Sequence, residues 1–155
     1  MRRNRKFKKF HEPDVKYGSI ALSRFINYIM YDGEKSVAER VVYDAFAIVE
    51  KEMQMNPMEV FEKALENASP LLEVVSKRVG GANYQVPREV RAERKFFLGC
   101  KWMIDAARAR SGKSMAARLA EEIMAAYKNE GTAIKKKQNV HKMAEANRAF
   151  AHFAR

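Results

Sequence analysis

The stretch that decides the fold is residues 77–95, KRVGGANYQVPREVRAERK. Two runs that favour strands, residues 72–79 and 82–90, flank the pair Gly80-Gly81. A two-residue hairpin turn needs positive φ, which glycine adopts without steric cost, so this pattern predicts a β-hairpin. An isolated hairpin is marginally stable in water, and this one is strongly basic, with the ring of Tyr84 near its tip. We interpret it as an arm that binds an anionic partner; the alternative is a solvated charged ribbon.

Before the hairpin, apolar residues recur at the spacing of amphipathic helices. We expect a first helix over about residues 19–31 and a second that opens at Ser36, with Glu39 completing a capping box. A third helix is predicted from Pro57, a residue type favoured at the first helical position, to Pro70. These three helices are expected to form core rather than a binding site.

After the hairpin, three more helices are predicted, over about residues 91–110, from a cap at Ser114, and from Thr132 onward. The aromatic segment 150–153 is expected to dock on a neighbouring molecule or on RNA. The sequence therefore predicts a mainly α protein. It has a six-helix, bundle-like domain over residues 19–155, a protruding two-stranded β-hairpin at about residues 72–90, and a disordered basic N-terminal arm over residues 1–18.

Charge is distributed unevenly along the 155 residues, whose net charge is +11. Residues 1–19 carry a net charge of +5, residues 20–70 carry −4, and residues 71–155 carry +10. A charge that served solubility alone would not need to segregate in this way. We therefore interpret the acidic block as scaffold and the two basic regions as the surface that binds nucleic acid.

Other features of the composition bound the class of protein. No apolar run approaches the roughly 20 residues that span a bilayer, so no membrane-spanning segment is predicted. An anionic membrane surface is a less favoured partner for the basic regions than nucleic acid, and we predict no membrane partner. The N-terminus lacks the apolar core of a secretory signal. A single cysteine, Cys100, excludes an internal disulfide framework and is typical of a protein of the reducing cytoplasm.

RNA is the favoured nucleic acid. The aromatic rings of Phe7, Phe10 and Tyr84, interleaved with cations, suit unstacked bases and irregular RNA surfaces. No helix carries the face of Arg, Asn and Gln that is typical of a reader of the DNA major groove.

Motifs for catalysis are incomplete. Residues 112–114, Gly-Lys-Ser, resemble the end of a phosphate-binding loop, but Ala107 stands where that loop needs glycine, and the segment before it is helical. His141 and Glu145 are too few ligands for a zinc site. Cys100 has no local partner that would make it a nucleophile, and a buried thiol is the more common role. The sequence therefore predicts no enzyme and no cofactor or metal.

The string RVGGANYQVPREVR, residues 78–91, resembles the signature hairpin of the family of bacterial small-subunit ribosomal protein seven. Residues 30–36 resemble the first interhelical turn of that family. Residues 112–120 and 131–147 resemble the start of its fifth helix and its last helix. The resemblance covers essentially the whole chain, in order.

This resemblance implies a mostly helical fold with a protruding hairpin, and a primary rRNA-binding role that nucleates assembly of the head of the small subunit. It also implies that the hairpin lies near the exit-site tRNA and the mRNA path, and that the protein contacts neighbouring head and platform proteins. The hairpin positions toward tRNA and mRNA are Arg78, Gly80, Gly81, Ala82, Asn83, Tyr84 and Arg88. The candidate rRNA-binding residues are Arg2, Arg3, Arg5, Lys6, Lys8, Lys9, Lys35, Lys77, Arg78, Arg91, Arg94, Lys95, Arg108, Arg110, Lys113, Arg118, Lys135, Lys136, Lys137 and Lys142.

Two positions depart from the family pattern. Glu93 interrupts the basic cluster after Arg91, which is expected to weaken contact there. Ala82-Asn83 stands where Ser-Thr is usual, which changes the hydroxyls at the tip. The alternative function is a free-standing nucleic-acid-binding regulator, including one that binds its own mRNA.

Overall fold

The computed structural model describes residues 11–154 and confirms the predicted fold class, mainly α with a two-stranded hairpin. Six of the predicted basic residues of the arm, Arg2 to Lys9, lie outside the described residues. The helices are α1 Ile20–Ile29, α2 Lys35–Met53, α3 Pro57–Ala68, α4 Ala92–Ala109, α5 Met115–Tyr127 and α6 Thr132–Ala146, followed by the 3₁₀ helix η1 Arg148–Ala154. The strands, between α3 and α4, are β1 Leu72–Val79 and β2 Ala82–Glu89.

The core lies among the helices, and the hairpin stands outside it. Phe25, Phe46 and Phe61 are fully buried and their rings pack at tilted angles, with Phe61 4.9 Å from Phe25 and 5.7 Å from Phe46 between ring centroids. Helices α4 and α5 pack against these helices, and α6 contributes only its start. The first three helices are therefore scaffold, as their sequence indicated.

Asp14, which the sequence placed in the N-terminal arm, is buried against α2. Its carboxylate accepts hydrogen bonds from the backbone N–H groups of Lys16 and Tyr17 and from the hydroxyl of Tyr43 at 2.7 Å. Burial and the bond to Asp14 raise the pKa of Tyr43 to about 12. The segment just before α1 is thus attached to the scaffold.

Side-chain caps mark where three of the six described α-helices begin, namely α1, α3 and α5. Asn56 accepts from the backbone N–H of Met58 ahead of Pro57, and Ser114 accepts from that of Ala117, as predicted. The predicted capping box at Ser36 is wrong, because α2 begins one residue earlier, at Lys35, with Glu34 at the cap and no side-chain cap bond. Asp32 and Gly33 both take positive φ, so the chain reverses before it reaches Ser36.

The hairpin turn has the predicted geometry. Gly80 and Gly81 have φ of 57° and 93°, the signs that a type I′ turn requires at both central positions. The antiparallel register runs from Leu72 opposite Glu89 to Val79 opposite Ala82, and helices α6 and η1 pack against the two strands. Among residues 11–154, no helix is long and apolar enough to cross a membrane.

Candidate nucleic-acid interface

Glu73 fixes the base of the hairpin. This side chain, about 10% exposed, lies directly opposite Arg88, whose Nε and Nη2 atoms donate to its Oε1 at 2.9 and 2.7 Å. Arg94, at the start of α4, donates from Nε to Oε2 at 3.2 Å. Burial opposes ionisation of the carboxyl, but the two arginines outweigh it and lower the pKa of Glu73. Arg88 and Arg94, predicted to contact RNA, thus first neutralise a buried acid.

Helix α6 is joined to the segment before the hairpin by two polar contacts, one at the residue that precedes β1 and one at the end of α3. The backbone N–H of Leu71 donates to Nε2 of His141 at 3.1 Å, and Nζ of Lys137 donates to the carbonyl oxygen of Asn67 at 2.6 Å. Burial, with the charge of Lys137, lowers the pKa of His141, which keeps the ring neutral and able to accept this bond. His141, considered above as a metal ligand, serves here as a connection between α6 and β1.

The tip of the hairpin has two unlike faces, because successive residues of a strand point to opposite sides. Lys77 lies opposite Tyr84 on one face, and Arg78 lies opposite Asn83 on the other. Arg78 and Asn83 are exposed. Tyr84 is half-buried, although the sequence predicted a free, stackable ring.

Helix η1 covers the face that carries Tyr84. The Tyr84 ring lies 5.2 Å from that of Phe150 and 5.5 Å from that of Phe153, measured between centroids. On the same face, Nζ of Lys77 donates to the carbonyl oxygen of Phe153 at 2.5 Å. The aromatic segment that we expected to dock on another molecule or on RNA is thus packed against the hairpin of its own chain.

Four of the predicted rRNA contacts meet instead at the turn between α4 and α5. Arg110 forms ion pairs with Glu121 at 3.0 Å and Glu122 at 2.5 Å, and Lys113 also pairs with Glu121. The remaining two bind backbone carbonyls, since Arg108 donates to Ile29, and Arg118 donates to Arg110. These side chains hold helices together, and only their exposed atoms remain for RNA.

Glu122 is the residue of this cluster that the sequence analysis missed. Its side chain is fully buried, yet it accepts from Arg110 and from the backbone N–H of Ala133 at 2.9 Å. Gly131 approaches it so closely that a Cβ there would stand 2.9 Å from Oε1. The sequence did contain a signal for this role: Glu122 stands within the apolar stripe of α5, eleven residues before Ala133 in the first turn of α6.

A different set of candidate cations is turned to solvent. Arg91, at the start of α4, is exposed, and Lys95 is half-buried beside Glu66 and Lys137. Lys35, on α2, makes one long ion pair, 3.9 Å from Glu39. Five candidates are exposed, and no hydrogen bond or ion pair within residues 11–154 engages their side chains: Arg78 on the hairpin, Arg91 before α4, and Lys135, Lys136 and Lys142 on α6.

Two exposed cations that the sequence analysis omitted belong to the same elements. Lys101 follows Arg94 by seven residues, which places both on one side of α4, and Arg148 opens η1. Lys135 and Lys142 have the same seven-residue spacing on α6. This spacing is the signal that would have identified a cationic side of each helix.

The residues considered for catalysis have structural roles. Cys100 is fully buried, and burial raises its pKa to about 12, which leaves a protonated, unreactive thiol. Ser114 caps α5, and Lys113 beside it is paired with Glu121. Among the described residues, no group of His, Cys, Asp and Glu is arranged to hold a metal ion.

A helical scaffold with an anchored hairpin and exposed cations on its second half is the architecture of a structural RNA-binding protein. Comparison with known proteins makes this specific. A family described as Ribosomal protein S7p/S5e matches residues 1–148. The chain is 52% identical over 153 residues to the small ribosomal subunit protein uS7 of Thermotoga neapolitana, covering 99% of both chains. It is 55% identical over 141 residues to the protein of that name from Methylobacterium radiotolerans, covering 91% of this chain and 90% of the relative.

The chain therefore belongs to the S7p/S5e family of ribosomal proteins. This confirms the resemblance found in the sequence, and it identifies a structural, rRNA-binding constituent of the small ribosomal subunit and not an enzyme. Membership of the family also confirms the predicted location on the ribosome in the cytoplasm.

Proposed function

We propose that this protein is a primary rRNA-binding protein that nucleates assembly of the head of the small subunit. In this proposal its hairpin reaches toward the exit-site tRNA and the mRNA path, and its other exposed surfaces meet neighbouring head and platform proteins. Membership of the S7p/S5e family supports the ribosomal part of this role. The placement of exposed cations supports the RNA-binding surface.

The observation that carries the proposal is the separation of two kinds of cation. Those at the α4–α5 turn pair with Glu121, Glu122 or backbone carbonyls, whereas Lys135, Lys136 and Lys142 extend from one helix into solvent. Lysine ammonium groups on one side of a helix match the spacing of phosphates by charge alone, without a fixed geometry. Helix α6 packs on α4 and on β1, so its lysines continue the basic surface of the hairpin.

On the hairpin, the exposed face is assigned to tRNA and mRNA. Arg78 supplies a guanidinium fork for phosphate, and Asn83 beside it offers both a donor and an acceptor for a base or a ribose. The departures at Ala82-Asn83 leave the tip without the usual hydroxyls but keep this amide. Arg88 contributes only those donors that its bond to Glu73 leaves exposed.

The direct test measures how the affinity for small-subunit rRNA depends on salt. Replacing Lys135, Lys136 and Lys142 by glutamine is expected to reduce the slope of log K against log salt by about 2–3, because each lost phosphate contact contributes roughly 0.7–0.9. The control replaces Arg40, Lys51 and Lys128, which are exposed on α2 and after α5, and removes the same charge. Equal effects of the two triple variants would contradict the assignment of the surface to α6.

Sedimentation distinguishes this function from that of a free regulator. A ribosomal constituent is expected to remain with small subunits at moderate salt. A pool of protein that is wholly free under those conditions would contradict the proposed role. Chemical footprinting on full-length small-subunit rRNA then locates the nucleotides that the protein protects.

A further inference from the structure

Helix η1 occupies the face of the hairpin that RNA would otherwise reach. Its rings of Phe150 and Phe153 lie within 5.5 Å of the Tyr84 ring, and the carbonyl of Phe153 accepts from Lys77. One short helix therefore packs on an aromatic ring of the arm and binds an exposed cation beside it. These are the two side-chain types that single-stranded RNA uses, for base stacking and for phosphate contact.

The contact of η1 with Tyr84 is weaker than the one that RNA would make in its place. At Lys77, a phosphate oxygen would bring a negative charge to the ammonium, which the carbonyl oxygen of Phe153 does not carry. A nucleic-acid base stacked on Tyr84 contributes more than a tilted side-chain ring pair, and the Tyr84 pairs are tilted by 50° and 39°. RNA therefore offers Tyr84 a stronger partner than a single ring of η1 supplies.

Helix η1 is also built to detach at low cost. It is a 3₁₀ helix, in which hydrogen-bond geometry is poorer than in an α-helix. Its packing is mainly on β2, and its rings belong to no part of the helical core. His152 lies outermost, exposed, with its ring 4.0 Å from that of Phe153. Detachment would uncover the hairpin and leave the core unchanged.

We propose that η1 is a displaceable cover of the hairpin: it packs on Tyr84 and binds Lys77 in the free protein, and a single-stranded segment of RNA displaces it by stacking a base on Tyr84. This inference rests on the proposed RNA-binding role of the hairpin. It adds a second, normally covered RNA contact on the face opposite Arg78.

The test uses the full chain and an oligouridylate of about ten nucleotides. Replacing Phe150 and Phe153 by alanine removes the rings that cover Tyr84 and is expected to raise affinity about two- to tenfold for each of the two ring pairs removed, the factor that one aromatic pair is worth. The change Tyr84→Ala is expected to lower affinity in the otherwise unchanged protein, because the displacing base stacks on this ring, and to abolish the gain in the double variant. Unchanged or reduced affinity of the double variant would overturn the proposal, as would a gain that persists without Tyr84.

Hydroxyl-radical footprinting of the unaltered protein gives an independent readout that does not depend on the variants. On addition of the oligouridylate, oxidation of Phe150 and Phe153 is expected to rise while that of Tyr84 stays low. Protection of all three rings would mean that η1 remains in place and forms part of the binding platform, which would overturn displacement. If the unaltered protein bound small-subunit rRNA without salt dependence, the proposed function itself would fail, a result that the two-ring variant cannot produce.

Discussion

At the scale of single residues, two titratable side chains, Glu73 and His141, attach the hairpin to the helical domain. Glu73 is an acid inside a basic arm, and it is held ionised by Arg88 across the strand pair and by Arg94 on α4. His141 is held neutral by burial and accepts from Leu71. Each group has a lowered pKa, and each makes stability depend on pH in a different range.

Replacing Glu73 by glutamine is expected to lower the free energy of unfolding by about 1–2 kcal/mol, since the ion pairs are lost but the two guanidinium groups are half exposed and partly screened. Because the folded pKa lies below the ordinary value of 4.5, the contribution is present above about pH 4.5 and disappears as the pH falls through the folded pKa. Urea unfolding at neutral and acid pH measures the difference between the two proteins.

The matched control is Glu66→Gln. Glu66 is exposed, and among the described residues its one ion pair is with Lys63, at 2.9 Å on the same helix. A surface pair of this kind contributes little, so no measurable loss is expected. A loss as large as that of Glu73→Gln would show that general charge, and not the anchor at the hairpin base, determines the effect.

His141 predicts a second dependence on pH. Its folded pKa lies below the ordinary 6.5, so the unfolded chain binds more protons, and stability falls as the pH drops below about 6.5. Glutamine at this position keeps an acceptor but cannot titrate, and His141→Gln is expected to flatten the profile between about pH 5 and 7. The urea concentrations at the midpoint of unfolding, measured from about pH 5 to 7, test this prediction. If stability depended on pH equally in the variant and the unchanged protein, the dependence would belong to another group.

At the scale of elements, the hairpin is supported by the domain but does not support it. No residue of β1 or β2 belongs to the main hydrophobic core of the described chain, although Val86 and Pro87 are buried locally. The support comes instead from Glu73, from α6 and from η1. This explains how an arm that would be marginal by itself keeps a regular register of eight opposed pairs.

Deleting residues 79–85 is therefore expected to leave the helical domain folded, with a melting temperature within about 3 °C of the unchanged protein. In contrast, Phe61→Ala removes a fully buried ring from the core and is expected to cost about 3–5 kcal/mol. Thermal melts followed by far-ultraviolet circular dichroism compare the two. A large loss of stability on deletion would mean that the hairpin is part of the cooperative unit.

Local sequence motifs predicted most of the helices and strands, whereas contacts between residues distant in the sequence could not be predicted. The Gly80-Gly81 turn, the Asn56-Pro57 start and the Ser114 cap each depend on neighbours within a few residues, so the sequence displays them. The Ser36 capping box failed because a local motif also requires a compatible turn before it. The cover of Tyr84 by Phe150 and Phe153 joins residues more than sixty positions apart, and no spacing rule reveals it.

At the scale of the whole molecule, counting cations overestimates the surface available to RNA. Arg108, Arg110, Lys113 and Arg118 were candidates by charge, but the fold engages them with carboxylates and carbonyls of their own chain. Lys135, Lys136 and Lys142 have the same residue chemistry and are exposed. Sequence alone could predict that the second half is basic; the division between structural and available cations depends on which helices become neighbours.

The basic residues before the described part predict a further effect on the whole protein. Reversing the charge of Arg2, Arg3, Arg5, Lys6, Lys8 and Lys9 is expected to lower affinity for small-subunit rRNA and to flatten its salt dependence, because each phosphate contact adds roughly 0.7–0.9 to the slope. Filter binding over a series of salt concentrations measures both. A slope equal to that of the unaltered protein would exclude these residues from the binding surface.

The hairpin and the helix η1 that covers it are synthesised at different times. The strands and their anchor are complete once residue 94 has been synthesised, whereas η1 begins at Arg148. At about 5–20 residues per second, this separation of more than fifty residues corresponds to an interval on the order of 3–10 s. During that interval Tyr84 has been synthesised but the rings that cover it have not. A nascent chain would thus expose the Tyr84 ring, which η1 covers in the finished protein. Chaperones or RNA that bind during translation would contact this ring before η1 does.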